Sequence, residues 1–458
     1  MSANSTTECL LFPDLSDRPV LAQFDEPAMT SDAGLLLLKA ADRRVGLTER
    51  VLPYLPDSRD SSRVRHDFLS LLQQRVYGLA AGYEDCNDAA RLASDPAFKV
   101  LLGRDPIAGI DLATQPTLSR FENAFEAADL RLLHDVLMNA VIDNHRKRRR
   151  GKARVITIDL DTTVDPTHGA QQLTLFNGFH GAWCYRPLLG FIHFDKEPDQ
   201  YLCLTMLRSG RAPDKCGVLF ALQRLIPKLR KAFPKARLRV RLDGGFGAPE
   251  ILNFLDAVPR LEYVVGIGKN SRLLARVRRP MAEARRQSRE SEASERVYAE
   301  CMYKARKWPA KRRVVVKAEV TRFPGRDPKD NPRFVVTNMT KSPRWVYTHA
   351  YCERGDSENR IKELKDGLQI DRTSCSSFLA NQFRVFLTAM AYILMQEIRL
   401  HARLTSLARA QVTTLRNHLF KIGARVVVSA RRVVFHLPES YAYRDEWRRI
   451  ALALGAVT

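Results

Sequence analysis

Asp159 and Asp161 lie two residues apart at the end of a β-branched run, Val155-Ile-Thr-Ile-Asp-Leu-Asp161. On a strand that spacing puts both carboxylates on one face. Asp243 ends a second alternating run, Leu238–Leu242, and is followed by Gly244 and Gly245, which allow a ligand close to the backbone. Ligands of open α/β sheets bind beyond the carboxyl ends of the strands, so Asp161 and Asp243 are expected to converge there. A third acid, Glu358, shares a helix with Tyr351, Arg354 and Lys365, and steps of three, four and seven residues stack the four along one face. Arg354 and Lys365 would keep Glu358 ionised and could hold phosphate beside it. Three convergent carboxylates suit Mg²⁺ or Mn²⁺. Two such ions can clamp the attacking and leaving oxygens of an in-line phosphoryl displacement. Each acid taken alone has an ordinary alternative, because strand-end aspartates cap turns and helix acids pair with Lys or Arg.

The elements that must position these residues follow from hydrophobic periodicity. Residues 30–145 carry leucines and valines at three- and four-residue spacings and are expected to be helical, with one long amphipathic helix from about Gln115 to Asn144. From Arg154 the period changes to that of strands, at 155–161, 188–194, 201–207, 238–242 and 263–267, with helices at about 214–233 and from Ala248. Three strands, a helix, a strand, a helix and a strand describe an α/β sheet with crossovers. An Arg-rich stretch, a strand-like piece 313–321 and a Pro/Gly/Asp-rich loop 324–332 interrupt it. The pattern resumes at 333–337, with helices at about 349–366 and 380–403. The expected domains are 1–150, an N-terminal helical domain; 151–270 and 331–410, two parts of a catalytic core; 271–330, a β-rich insertion; and 411–458, a basic C-terminal segment.

The 458 residues carry 74 Lys and Arg against 51 Asp and Glu, a net charge of +23, with enough apolar sequence (45%) to exclude wholesale disorder. The excess sits in three blocks, 146–154, 271–313 and 399–449, which suggests a polyanionic partner rather than a uniformly basic surface. The alternative for any one block is a solvated face. The apolar run Val385–Met395 is too short to span a bilayer, and residues 1–27 lack a secretory leader, so a cytoplasmic protein without a membrane partner is expected. Eight scattered cysteines without a C-x-x-C pair suggest free thiols. His168 has no second histidine at ligand spacing and is read as structural. Gly244, Gly245 and Gly247 lack the G-x-G-x-x-G spacing, so no nucleotide cofactor is expected.

The pattern Y-x2-R-x3-E-x6-K at 351–365 resembles the signature around the last acid of bacterial insertion-sequence transposases with a ribonuclease-H-like DDE core. RIKELKDG at 360–367, DLDTTVDPTHGAQ at 159–171, RLDGGFGAPEIL at 241–252, QPTLSRFEN at 115–123 and KIGARVVVSARRVV at 421–434 look like the group numbered 1380 of those elements. The resemblance implies a ribonuclease-H-like mixed α/β sheet with flanking helices, interrupted by a β-rich insertion, plus an N-terminal helical domain. It implies Asp161, Asp243 and Glu358 as catalytic metal ligands for two Mg²⁺ (or Mn²⁺) ions, with Asp159 in reserve for the first position because Asp161-Thr162-Thr163 fits the relatives better. Tyr351, Arg354 and Lys365 would contact DNA phosphates. Trp308 is a candidate for stacking on an unpaired base in the insertion, the alternative being a core tryptophan. The implied activity is cutting at terminal inverted repeats and joining of the freed 3′-OH to target DNA by a nucleoid-associated homodimer bound to double-stranded DNA. A nuclease that cuts without joining, and a non-catalytic DNA-binding descendant, are the rivals.

Overall fold

The computed structural model describes residues 9–13 and 15–458. Its centre is a mixed sheet of nine strands: β1 (Val155–Thr162), β2 (Leu188–Phe194), β3 (Gln200–Met206), β4 (Arg237–Leu242), β5 (Leu261–Ile267), β6 (Glu295–Tyr303), β7 (Arg312–Phe323), β8 (Arg326–Asp330) and β9 (Arg333–Thr337). The order is β6-β7-β9-β5-β4-β1-β2-β3, with β8 hairpinned onto β7. β1, β4 and β5 run parallel, and every other pairing is antiparallel. Ile156 to Asp161 are all buried, so β1 is covered on both faces, the position in which an apolar β-branched run is most stable.

Seven helices matter to the site: α1 (Phe68–Ala81), α2 (Ala127–Arg148), α3 (Val218–Ala232), α4 (Pro249–Ala257), α5 (Arg278–Ser291), α6 (Gly355–Leu368) and α7 (Phe378–His401). By length and composition α7 could cross a membrane, yet 89% of its apolar window is enclosed by the protein, packed against α1, α2 and β3. Its polar residues explain that placement. β3 is an edge strand whose outward backbone groups would otherwise be orphaned. Gln396 accepts from Leu202 N (3.1 Å) and donates to Gln200 O (2.6 Å), and Gln382 accepts from Leu207 N (2.5 Å). α7 also fixes α6. The buried Glu363 accepts from Arg399 (2.5 Å), Tyr392 Oη (2.8 Å), Arg360 (2.8 Å) and Val412 N (2.9 Å).

Four sequence expectations change. The helix expected from 115 to 144 is two, Gln115–Glu122 and α2, because Glu126 and Asp129 form a capping box that restarts the chain. The loop 324–332 contains β8. Residues 271–330 supply helices Ser271–Arg276 and α5 as well as strands, and β6 and β7 continue the main sheet. In the basic run 146–154, Arg148 and Arg149 are spent on Glu197 and Asp195, leaving Arg146, Lys147, Arg150, Lys152 and Arg154 exposed. The C-terminal segment packs back on the N-terminal region: Met29–Thr30 pairs with Ala424–Ser429, and Lys421 meets Asp32 at 2.7 Å.

Candidate active site

Arg241 lies opposite Asp159 in the β1–β4 register, so two residues further on Asp161 and Asp243 emerge side by side from the carboxyl ends of parallel strands. Asp161 Oδ1 accepts from Thr162 N (2.9 Å), and Asp243 caps the turn Gly244–Phe246 by accepting from Gly245 N (2.9 Å). Glu358 approaches on α6, and the three acids line one cavity of about 550 Å³ together with Arg186, Asp214 and Arg354. Arg354 donates to Asp161 Oδ2 (2.5 Å) and to Glu358 Oε1 (2.7 Å). Its guanidinium thus bridges the first and third acids. Among the described residues no three acid, histidine or cysteine side chains close onto a single metal-holding point. Glu358 is 58% exposed and held by Arg354, one turn before it, so a rotamer change suffices to move its carboxylate.

Burial pushes the Asp161 carboxyl up to about 6 against the pull of Arg354, and Asp243 and Glu358 add to the rise. Burial raises Asp243 as well, again opposed by Arg354. Both shifts come first from removal of the carboxyls from water, with Arg354 only partly offsetting it. The cavity's three carboxylates offer oxygen donors, the set that hard divalent ions take, and His180 also lines the cavity. Asp161, Asp243 and Glu358 therefore fit a divalent cation in chemistry.

The helical segment bearing the third acid is irregular: a π turn over Val346–Tyr351 and a 3-10 turn over Cys352–Arg354 precede α6. Such turns concentrate at functional sites. They deliver Arg354 and Glu358 to the acidic cavity, whereas Tyr351 lines a neighbouring cavity of about 520 Å³ with Tyr347, Arg333 and Lys269. The two cavities are separated by the turn that follows Asp243. Gly266 in β5 makes room for that turn, since a Cβ there would sit 2.7 Å from Gly244 N and 2.7 Å from Tyr351 Oη.

The remaining sequence candidates fall elsewhere. Lys365 donates to Val164 O (2.9 Å), pairs with Asp371 (3.0 Å) and does not line the acidic cavity. Trp308 is only 5% exposed, edge-on to Tyr303 with the Arg312 guanidinium over its ring, the packing of a core residue. Asp159 is fully buried in a two-pronged pair with Arg241 (2.6 and 2.7 Å) and takes a third bond from Gln200. His168 is exposed and lines neither cavity.

Two cavity residues carry no sequence signal. Arg186 reaches Asp214 (2.5 Å) and Thr162 Oγ1 (3.4 Å), and Asp214 presses on Gly245, where a Cβ would collide with it. The pair thereby links the ends of β1 and β4. Both residues lie in connections without a motif.

No curated protein matches the chain. Among solved structures, the piggyBac transposase synaptic complex with hairpin DNA, determined by cryo-electron microscopy, aligns over 80% of this chain and 80% of that chain. The TM-score of that alignment is 0.38, at 13% sequence identity. A family model described as transposase DDE domain group 1 matches residues 12–457. Its span takes in β1, β4 and α6 with all three carboxylates, and this chain accordingly belongs to that family and is a DDE transposase.

Proposed function

We propose that this transposase cuts at the terminal inverted repeats of a bacterial insertion sequence, of the kind grouped under number 1380. It then joins the freed 3′-OH ends to target DNA. The observation that carries the reading is the placement of Asp161 and Asp243 at neighbouring parallel strand ends with Glu358 across one cavity. The β3-β2-β1-β4-β5 order, three antiparallel strands followed by two parallel to the first, supports a ribonuclease-H-like core.

Asp161, Asp243 and Glu358 would hold Mg²⁺ or Mn²⁺ ions, two per site. Bound there, such ions activate an attacking oxygen and stabilise the leaving one. The chain's own groups do the rest. In the free protein Arg354 bridges Asp161 and Glu358, one positive charge between two carboxylates, and would turn to a phosphate once the acids take a cation. Arg186, paired with Asp214, is a second cation lining the same cavity. Tyr351, next to the Asp243 turn, would contact the backbone of the cut strand. Residues 1–150 would read the repeat, and the exposed Arg146, Lys147, Arg150 and Lys152 would hold flanking phosphates. Two ends joined in one reaction call for a homodimer.

The test is Mg²⁺-dependent nicking of a labelled duplex ending in the element's own repeat. Asp161→Asn, Asp243→Asn and Glu358→Gln are each expected to lose roughly 10²–10³-fold or more in rate while still binding the repeat. Variants that nick as fast as wild type would overturn the site. A wild-type protein that binds but neither cuts nor joins would overturn the function.

A further inference from the structure

Cys9–Phe12 runs antiparallel to Val20–Gln23 as a ribbon that pairs with no third strand among the described residues. Leu10, Leu11, Phe12 and Leu21 are 45–58% exposed, and Phe24 is 92% exposed. A lone two-stranded ribbon is marginal in water, and so much clustered apolar surface marks a docking element. Its charge narrows the choice of partner. Residues 9–27 carry four acids and one arginine in a chain of net charge +23. An acidic apolar ribbon is repelled by DNA and attracted to basic protein.

The complement is on the same molecule. Five residues after the ribbon, Met29–Thr30 enters a three-stranded sheet with Ala424–Ser429 and Arg432–His436. Arg432–His436 is the outer strand, so one backbone edge is open. The sheet exposes Met29, Val427 and Val433 (40–46%) among Arg425, Arg431 and Arg432. An apolar acidic ribbon with free edges and an apolar basic sheet with a free edge match in charge, hydrophobicity and backbone hydrogen bonding. Residues 24–28 span at most about 17 Å, so the ribbon leaves the body within that distance of this sheet.

We propose that the ribbon is an exchange arm joining two copies of this chain: the arm of each adds to the open Arg432–His436 edge of the other, closing a two-fold pair. This rests on the homodimer reading above and names its surface.

The experiment measures solution mass by light scattering, with and without repeat DNA. It compares wild type, an arm variant (Leu11→Glu with Leu21→Glu) and an edge variant (Arg432→Glu with Val433→Glu). All four side chains are exposed, so both variants should melt as wild type does. Wild type is expected at twice 52.1 kDa and each variant at 52.1 kDa. An equimolar mixture of the variants should recover part of the doubled mass, because an intact arm then meets an intact edge. An arm variant that stays doubled, or a mixture that recovers nothing, overturns the exchange arm and leaves the homodimer standing. Wild type at single mass under both conditions overturns the homodimer itself.

Discussion

Gly266→Ala should slow DNA cleavage without weakening DNA binding. Gly266 is buried in β5, and a methyl group there would lie 2.7 Å from Gly244 N, 2.7 Å from Tyr351 Oη and 3.0 Å from the carbonyl carbon of Asp243. Carbon contacts are comfortable from about 3.5 Å, so each neighbour must retreat by roughly half an ångström or more. Only the tyrosine tip can swing away. The other two atoms are the backbone of the turn that presents Asp243, and moving them moves the carboxylate. Overpacking of this kind costs about 1–3 kcal/mol in stability. A displacement approaching 1 Å costs on the order of 10²-fold in rate. The assay is single-turnover nicking of a repeat duplex at saturating Mg²⁺, alongside repeat affinity and a thermal melt. A rate 10- to 100-fold below wild type is expected, with affinity within a few-fold. Tyr351→Phe in the same background should recover only part of the loss, since it relieves one of three contacts. Gly266→Ala nicking at the wild-type rate would refute the claim that this glycine sets the position of Asp243.

Four further outcomes follow from the same packing. The Asp161 carboxyl, raised to about 6 by burial, must lose its proton to accept a cation, so Mg²⁺ affinity measured calorimetrically should fall about tenfold per pH unit below 6 and flatten above it. In the metal-free protein the raised value has the opposite consequence, since stability should decline as pH rises from 4 towards 6, followed by chemical denaturation. Glu363→Ala leaves Arg399 buried, and with Asp199 still 3.2 Å away the loss should sit near the low end of about 3–5 kcal/mol, read from denaturant midpoints. Arg241→Met should cost about 3–5 kcal/mol by stranding Asp159, and adding Asp159→Asn should recover part of it, whereas independent sites would add.

Much of this protein is legible along the chain. The run 155–161 announces a buried strand because alternation and β-branching are local properties, and Asp161, Asp243 and Glu358 are legible because strand ends and a helix repeat are local too. Helix phase also places Arg354 four residues before Glu358, where the two do pair at 2.7 Å. Phase says nothing about distance along the axis. Lys365 is seven residues beyond Glu358, about 10 Å at 1.5 Å per residue, and finds Val164 and Asp371 instead. Whether Asp159 or Asp161 faces the cavity is settled by strand register, which sets Arg241 opposite Asp159 and consumes it. Arg148 and Arg149 read as part of a basic footprint until the turn after β2 brings Asp195 and Glu197 to them. Arg186 and Asp214 acquire a role only because two unrelated connections meet at the carboxyl ends of β1 and β4. Periodicity and turn chemistry act between near neighbours in sequence and so determined most strands and helices, while the three carboxylates stood out only with the family resemblance beside the spacing. Which charge meets which depends on contacts across dozens or hundreds of residues, and only the tertiary packing decided those.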